Sequence, residues 1–378
     1  MPPKQAVFAP APRFIGSEIY RQSSYGKAHP LRIPRVSTVI DLCRALDWLP
    51  RDRYLTAPCA KPKALEIWHD RDYLAALQQA EQDGEVTPEV ARRFSLGTTS
   101  NPIFPEVYRR PATTAGGAML GAELLSNPGT IFCPGGGTHH GMPDRANGFC
   151  YLNDPVLAIL TLKRLGLQRV AYIDIDAHHS DGVEHGFRED GDVLMISVHE
   201  EKRWPFTGAL EDAGVGQIFN LPVPRGFNDT EMRAVLEEVI APKIAAFRPQ
   251  AVVLQCGADA VLEDPLSRLA LSNNAHWSVV RALMGLTDRL LVLGGGGYNP
   301  YTVGRLWTGV WGVLNGYDIP THLPDDAAKI LQGIDWSGWR ARDQPEARLW
   351  TTLQDPPREG DVSPDLRDRI AVLKGRSV

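Results

Sequence analysis

The stretch "YIDIDAHHSDG" (172–182) sets Asp174, Asp176, His178 and Asp181 in and just after an apolar run. Carboxylates taken out of water are costly unless a partner or a metal offsets their charge. In an extended chain alternate side chains share a face, so Asp174, Asp176 and His178 are expected to point the same way. Asp176 and His178 can then reach one ion, with Asp174 just behind them. A catalytic zinc site commonly takes three protein ligands and leaves one position for water. The third ligand must come from elsewhere, and "GADAVLEDP" (257–265) offers Asp259 and Asp264, between which spacing does not choose. "GGGTHHG" (135–141) adds the adjacent His139 and His140, which cannot readily both join Asp176 and His178 on one ion. A histidine beside a metal-activated water is a natural general base, tuned by a carboxylate behind it, and Asp174 and Asp181 are candidates for that position. Tyr298, after the glycines of "GGGGYNP" (294–300), can bring its hydroxyl to a developing oxyanion. Together these are the parts of a metal-assisted hydrolysis.

Taken singly, a buried Asp or His is more often a satisfied core residue, and a glycine run a tight turn. Four such stretches at strand ends are not explained that way. Neither glycine run is a dinucleotide fingerprint, because His140 and Asn299 stand where Gly-x-Gly-x-x-Gly needs its last glycine.

The elements that must position these residues are legible as β-branched runs: "GTIFC" (129–133), "VAYIDI" (170–175), "VLMISV" (193–198), "AVVLQC" (251–256) and "LLVLGGGG" (290–297). Helical patterns lie between them, including 154–166 and 230–247. In the latter, Met232, Val235, Leu236, Val239, Ile240, Ile244 and Phe247 recur at three- and four-residue spacing and mark one apolar face. Continuous apolar strands alternating with helices predict an α/β fold whose parallel sheet is covered on both faces. In such sheets ligands sit outside the carboxyl ends of the strands, so parallel strands would gather the four polar loops at one edge. With no repeat and no long linker, the chain reads as one domain.

Composition narrows the function classes. Of 378 residues, 43% are hydrophobic and 22% charged, as in ordinary globular proteins, and a formal charge of −5 gives no basic footprint for nucleic acid. The five cysteines (Cys43, Cys59, Cys133, Cys150, Cys256) are odd in number and contain no Cys-x-x-Cys pair, which argues against a disulfide framework or a cysteine zinc site and suits a reducing cytosol. "MPPKQAVFAPAPRF" has no apolar leader core, and no apolar run reaches membrane-span length. The expected location is cytoplasmic, without a membrane partner.

The longer motifs "GGGTHHGMPDRANGFCYLNDPVLAI" (135–159), "YIDIDAHHSDGVEHGF" (172–187), "VVLQCGADAVLEDPLSRLALS" (252–272) and "LGGGGYNP" (293–300) resemble, in order and spacing, the signatures of the zinc-dependent histone deacetylase family in its class I-like bacterial branch. "SSYGKAHPLRIPR" (23–35) and "HDRDYLAAL" (69–77) are similar to the family as well, so that the resemblance runs over about residues 17–315. It implies the arginase–deacetylase fold, a three-layer α/β/α domain with a central, mainly parallel eight-stranded sheet, followed by an extension over 316–378. It further implies Asp176, His178 and Asp264 as metal ligands, taking Zn(II) or alternatively Fe(II). Asp174 would stand behind His139 and Asp181 behind His140, with His140 the favoured general base and Tyr298 the oxyanion stabiliser. Gly148 and Phe149 would line one wall of an acyl-lysine tunnel, Trp204 of "RWPFTG" the other, and Arg35 the inner acetate channel. A monovalent cation such as K+ would sit at Asp174, Asp176, His178, Ser197 and Val198, largely on backbone oxygens. The implied partner is an acylated lysine or another acylated amine.

One departure bears on substrate. Peptide-acting members carry a rim aspartate that clamps the substrate backbone, whereas "LGTTSNPIFPEVY" (96–108) has Thr98, Thr99, Ser100 and Asn101 there. Small acylamines, acetylpolyamines included, therefore stand beside acyl-lysine. Two other classes compete. An arginase-type ureohydrolase is suggested by "DAHHSD", yet its bridging carboxylate would fall two residues past His178, at Ser180. A non-catalytic acetyl-lysine binding module should have lost a ligand, the base or the tyrosine, and all are present. His179 is left without a catalytic role and reads as structural. The tail from Pro356 is charged, with one short helical stretch.

Overall fold

The apolar runs pair side by side. In a computed structural model that describes residues 10–215, 217–336 and 346–378, eight strands form: β1 (Arg13–Gly16), β2 (Tyr54–Thr56), β3 (Gly129–Cys133), β4 (Val170–Asp174), β5 (Val193–Glu200), β6 (Ile218–Val223), β7 (Ala251–Gln255) and β8 (Arg289–Leu293). They make one sheet in the order β2-β1-β3-β8-β7-β4-β5-β6, and every neighbouring pair is parallel. The fold is the arginase–deacetylase type. The N-terminal segment read as lacking a leader lies, up to residue 9, outside the described residues, as do residues 337–345 of the extension. Among the described residues no helix is long and apolar enough to cross a membrane.

The sheet is covered on both faces because its strands carry apolar side chains in both directions. On β4, Ala171 and Ile173 enter one core and Val170 and Tyr172 the other; on β7, Val252 and Leu254 oppose Ala251 and Val253 in the same way. Helices Val36–Ala45, Asn273–Leu286 and Pro300–Asn315 contribute to the first core, and Arg109–Leu124 and Asp154–Arg164 to the second. The expected helix over 230–247 forms as Asp229–Val235 and Ala241–Phe247 joined by a π-turn, Leu236–Ile240, beside Pro242, which has no N–H to donate to the ladder. β1, β2 and β6 were not among the strands legible from the residues. β1 and β2 are very short, and β6 is an edge strand interrupted by Asn220 and Pro222.

The extension is seated on the first core by Leu353, Leu366, Ile370 and Leu373, all buried. It carries helices Asp325–Gln332, Arg348–Thr351 and Pro364–Gly375, the last being the one helical stretch expected after Pro356. Helix Pro300–Asn315 packs closely on Asn273–Leu286: a Cβ on Gly309 would come within 2.0 Å of the Trp277 ring, whose Nε1 donates to the Leu306 carbonyl at 3.0 Å. Because this helix starts directly after Tyr298, its seating sets where the tyrosine loop ends. Gly309→Ala should therefore destabilise the protein by about 1–3 kcal/mol through overpacking, read as a lowered urea midpoint; an unchanged midpoint would show that the helices can separate freely.

Candidate active site

Strands β3, β8, β7 and β4 are consecutive in the sheet, and each releases one of the four chemistry-bearing loops at its carboxyl end. Asp174 closes β4. The alternation expected to align Asp174, Asp176 and His178 stops there, because the chain leaves the extended form. Side chain-to-backbone bonds take over. Asp174 Oδ1 accepts the Asp176 N–H at 3.0 Å, and Asp176 Oδ1 accepts the His178 N–H at 2.9 Å. These turns, rather than a pleat, bring the residues together.

Asp176 is fixed from two neighbouring strands, its Oδ2 accepting from Gln255 Nε2 at 2.8 Å and Gly296 N at 2.7 Å. Asp259 Oδ1 accepts from Ala177 N at 3.0 Å, and its Oδ2 meets His178 Nδ1 at 2.9 Å. His178 Nδ1 also lies 3.1 Å from Asp176 Oδ1. One ligand atom each from Asp176, His178 and Asp259 lie within 4.8 Å of one another, all three residues buried. Asp264, the carboxylate implied by resemblance, is outside that group. Its oxygens accept from Tyr298 N at 2.6 Å and Leu266 N at 2.8 Å. Burial, followed by the negative charge of Asp259, pushes its carboxyl well above the usual range. Two buried carboxyl groups beside a single imidazole, with a third next to them, offer oxygens that retain unused lone pairs. That donor set fits a divalent cation. Glycine makes the cradle possible, since a Cβ on Gly257 would lie 2.1 Å from Asp176 Oδ2 and one on Gly296 2.1 Å from Asp259 Oδ2.

The tandem histidines sit beside this cluster with ring centroids 4.0 Å apart. His139 Nδ1 bonds Asp174 Oδ2 at 2.8 Å, and the Tyr172 hydroxyl donates to the same oxygen at 2.5 Å. His140 Nδ1 bonds Asp181 Oδ1 at 2.6 Å, and Asn147 Nδ2 donates to Asp181 Oδ2 at 3.0 Å. Each carboxylate thus holds an Nδ1–H and leaves Nε2 available. Burial pulls both imidazoles down. For His139 the charges of Asp174 and Asp176 overcome it, raising the pKa to about 9, whereas burial and the neighbouring His139 hold His140 down at about 4. The pair therefore splits into a charged ring and a neutral one. Its loop is tied down by Asp154, which accepts from Gly137 N at 2.9 Å, Thr138 N at 2.7 Å and Thr138 Oγ1 at 2.5 Å.

A space of about 480 Å³ leads from the surface to the cluster, bordered by Gly148, Phe149, Trp204, Leu266, Tyr298, His140 and His178. The Trp204 ring meets the edge of His140 at 4.6 Å between centroids. That approach needs glycine opposite: Gly148 has φ +52°, and a Cβ there would lie 2.1 Å from the indole. Phe149 stands 5.9 Å from the Tyr298 ring. At the rim, Thr98, Thr99 and Ser100 are exposed, while Asn101 is buried with its Oδ1 taken by Phe149 N at 3.0 Å. Deeper, a small cavity of about 50 Å³ lies against Arg35, Tyr298, His139 and Gly296. Arg35 donates one NH1 bond to the Gly295 carbonyl at 2.7 Å and stacks 5.3 Å from the Trp307 ring, while its buried Nε has no protein partner. Ser197 lies opposite Asp174 in the β4–β5 register, with Val198 next to it, and its Oγ meets His199 Nδ1 at 3.0 Å. His179 is held by Thr207 Oγ1 at 2.8 Å and Glu184 Oε2 at 3.0 Å, as a structural residue would be.

Four contributors were not singled out from the sequence: Tyr172, Asn147, Asp154 and Gln255. Gln255 had a signal, an amide ending an otherwise apolar run. The roles of the others depend on which distant loop they meet. The glycine cradle gives a direct test. Gly296→Ala should force the Asp176 and Asp259 carboxylates apart and lower the uptake of added divalent metal, measured by elemental analysis, with far-UV circular dichroism unchanged; undiminished uptake would mean the cradle has room to give.

Residues 29–314 match the family described as histone deacetylase domain. Histone deacetylase 1 of Oryza sativa subsp. japonica is 36% identical over 326 residues, covering 83% of this chain and 61% of that protein. Acetoin utilization protein AcuC of Bacillus subtilis (strain 168) is 30% identical over 327 residues, covering 83% and 84%. The chain spans 61% to 65% of the length of four histone deacetylases from Caenorhabditis elegans and rice. The crystal structure of an HDAC homolog from Aquifex aeolicus superposes with a TM-score of 0.92 at 32% identity, over 97% of this chain and 100% of that one. An HDAC homolog complexed with SAHA superposes at 0.91.

Proposed function

We propose that this chain, which belongs to the histone deacetylase family, is a single-domain, metal-dependent amidohydrolase that removes acetyl or other acyl groups from lysine-like amines. The observation that carries this reading is the convergence of two carboxylate-braced histidines and Tyr298 on one buried acidic cluster at the floor of an apolar-walled space.

Asp176 and His178, with Asp264 as the third ligand, would hold Zn(II) or Fe(II), and Asp259 would orient the His178 side. Such an ion supplies Lewis-acid polarisation of an amide carbonyl and a more acidic water. The remaining work falls to the chain itself. His140, neutral and held through Nδ1 by Asp181, takes the proton of the attacking water on Nε2. Burial, then the charges of Asp259 and Asp176, push the Tyr298 phenol well above its ordinary range, so it stays protonated and donates to the oxyanion. A histidine returns a proton to the leaving amine. Phe149 and Trp204 exclude water along the alkyl chain, and Arg35, whose buried Nε has no protein partner, lines the small inner cavity where acetate would depart. A K+ ion at Asp174, Asp176, His178, Ser197 and Val198 would brace the β4 end.

The rim favours a second reading of substrate. It has exposed hydroxyls and a committed amide where a peptide-clamping carboxylate would be, which supports small acylamines, acetylpolyamines among them, alongside acyl-lysine. Metal-loaded protein assayed side by side on acetyl-lysine peptides, longer acyl-lysines and acetylpolyamines decides this. SAHA should inhibit whichever substrate is turned over.

Tyr298→Phe is expected to lower kcat about 10²–10³-fold while metal content stays at the wild-type level, and His140→Ala to abolish release of acetate from a fluorogenic acetyl-lysine. Near-normal turnover in either variant would remove the assigned role. Two Mn per chain with release of urea would point instead to the ureohydrolase chemistry. For the ligands, Asp264→Asn should lose bound zinc and Asp259→Asn retain it with lower affinity, by elemental analysis and chelator competition; the reverse order would make Asp259 the ligand.

A further inference from the structure

We infer that the segment beyond the family-matched region is a clamp on the loop that carries Asp264, acting through Arg348 and Arg358 on Glu263; this rests on the reading of Asp264 as a metal ligand. The family match ends at residue 314, yet the NH2 groups of both arginines donate to Glu263 Oε1. Glu263 immediately precedes Asp264. Its carbonyl accepts Asn299 Nδ2 at 3.2 Å, from the residue after Tyr298. Asp264 in turn accepts the Tyr298 N–H at 2.6 Å. A single residue thus links the extension, the ligand loop and the tyrosine loop.

The arginines are themselves anchored. Arg348 NH1 lies 3.2 Å from Asp355 Oδ1, and that oxygen pairs at 2.7 Å with Arg305 NH1, both side chains fully buried. Arg305 belongs to helix Pro300–Asn315, and its Nε donates to the Thr352 carbonyl at 2.6 Å. The Arg358 N–H donates to Asp229 Oδ2 at 2.9 Å. Docking of the extension does not call for two guanidiniums on one carboxylate oxygen, since buried aliphatic side chains, Leu353, Leu366, Ile370 and Leu373 among them, already seat it. The loop does need restraint. Asp264 follows Glu263 directly, so any drift of Glu263 would carry the ligand carboxyl with it. Charge-assisted bonds to a fixed partner oppose that drift. Glu263, Arg348 and Arg358 are therefore positioning residues.

The test uses the full chain. Glu263→Gln, which swaps one oxygen for an amide nitrogen, should weaken Zn²⁺ binding about tenfold in chelator competition. It should also alter the visible spectrum of the Co²⁺-loaded protein and lower kcat with KM within about twofold. Arg348→Met/Arg358→Met should do the same, and combining it with Glu263→Gln should add no further loss. If the double variant fails to fold, Glu263→Gln alone decides. Wild-type Zn²⁺ affinity and Co²⁺ spectrum in that variant overturn the clamp. Asp264→Asn beside it separates the two readings: metal kept there defeats the ligand assignment, whereas metal lost there but kept in Glu263→Gln defeats only the clamp.

Discussion

Asp176 and Asp259 are buried against one imidazole, His178, and a third buried carboxyl, Asp264, stands just outside that group. Like charges in a poorly screened interior repel strongly, and each carboxylate removed from water also loses its hydration. The surroundings are arranged around that problem. Backbone N–H groups from Ala177, Leu266, Gly296 and Tyr298 point at the three carboxylates, and Gln255 adds an amide. Glycines stand wherever a side chain would press on an oxygen. These donors leave carboxyl oxygens with free lone pairs, and the two braced histidines and Tyr298 are gathered beside them.

The same electrostatics separates the two histidines. They share a loop, have the same bracing and are both buried, yet one is held charged and the other neutral. The difference lies in distance to the acidic cluster: His139 Nε2 is 3.8 Å from Asp176 Oδ1 in addition to its own aspartate, while His140 faces Trp204. Two chemically identical side chains acquire different protonation states without any change of residue type.

Much of this was legible in the sequence, for a physical reason. Asp174 and Asp176 in an apolar run are anomalies that only a site explains, and glycine runs after strands mark places where backbone must approach closely. The central strands could be read because buried parallel strands are apolar throughout. β1 and β2 could not, since three or four residues carry too little pattern, and β6 mixes Asn and Pro into its run. Strand alternation was expected to align Asp176 and His178, whereas turns made by the aspartates themselves, not a pleat, bring them together. Arg348 and Arg358 were invisible as contributors. Their meaning lies in a contact with Glu263 that nothing local to either residue announces.

The strand order has a consequence in time. Gly129 pairs with Arg289 across β3 and β8, and Val170 with Ala251 across β4 and β7, so the four loops meet only after distant parts of the chain have closed on one another. Parallel pairings of this kind are slow, because the entropy of closing long loops is lost before contacts compensate it. Until then the acidic loops are separate, hydrated and weakly attractive to any ion. Local turns bring Asp176 and His178 together, but Asp259 joins them only once β4 and β7 have paired.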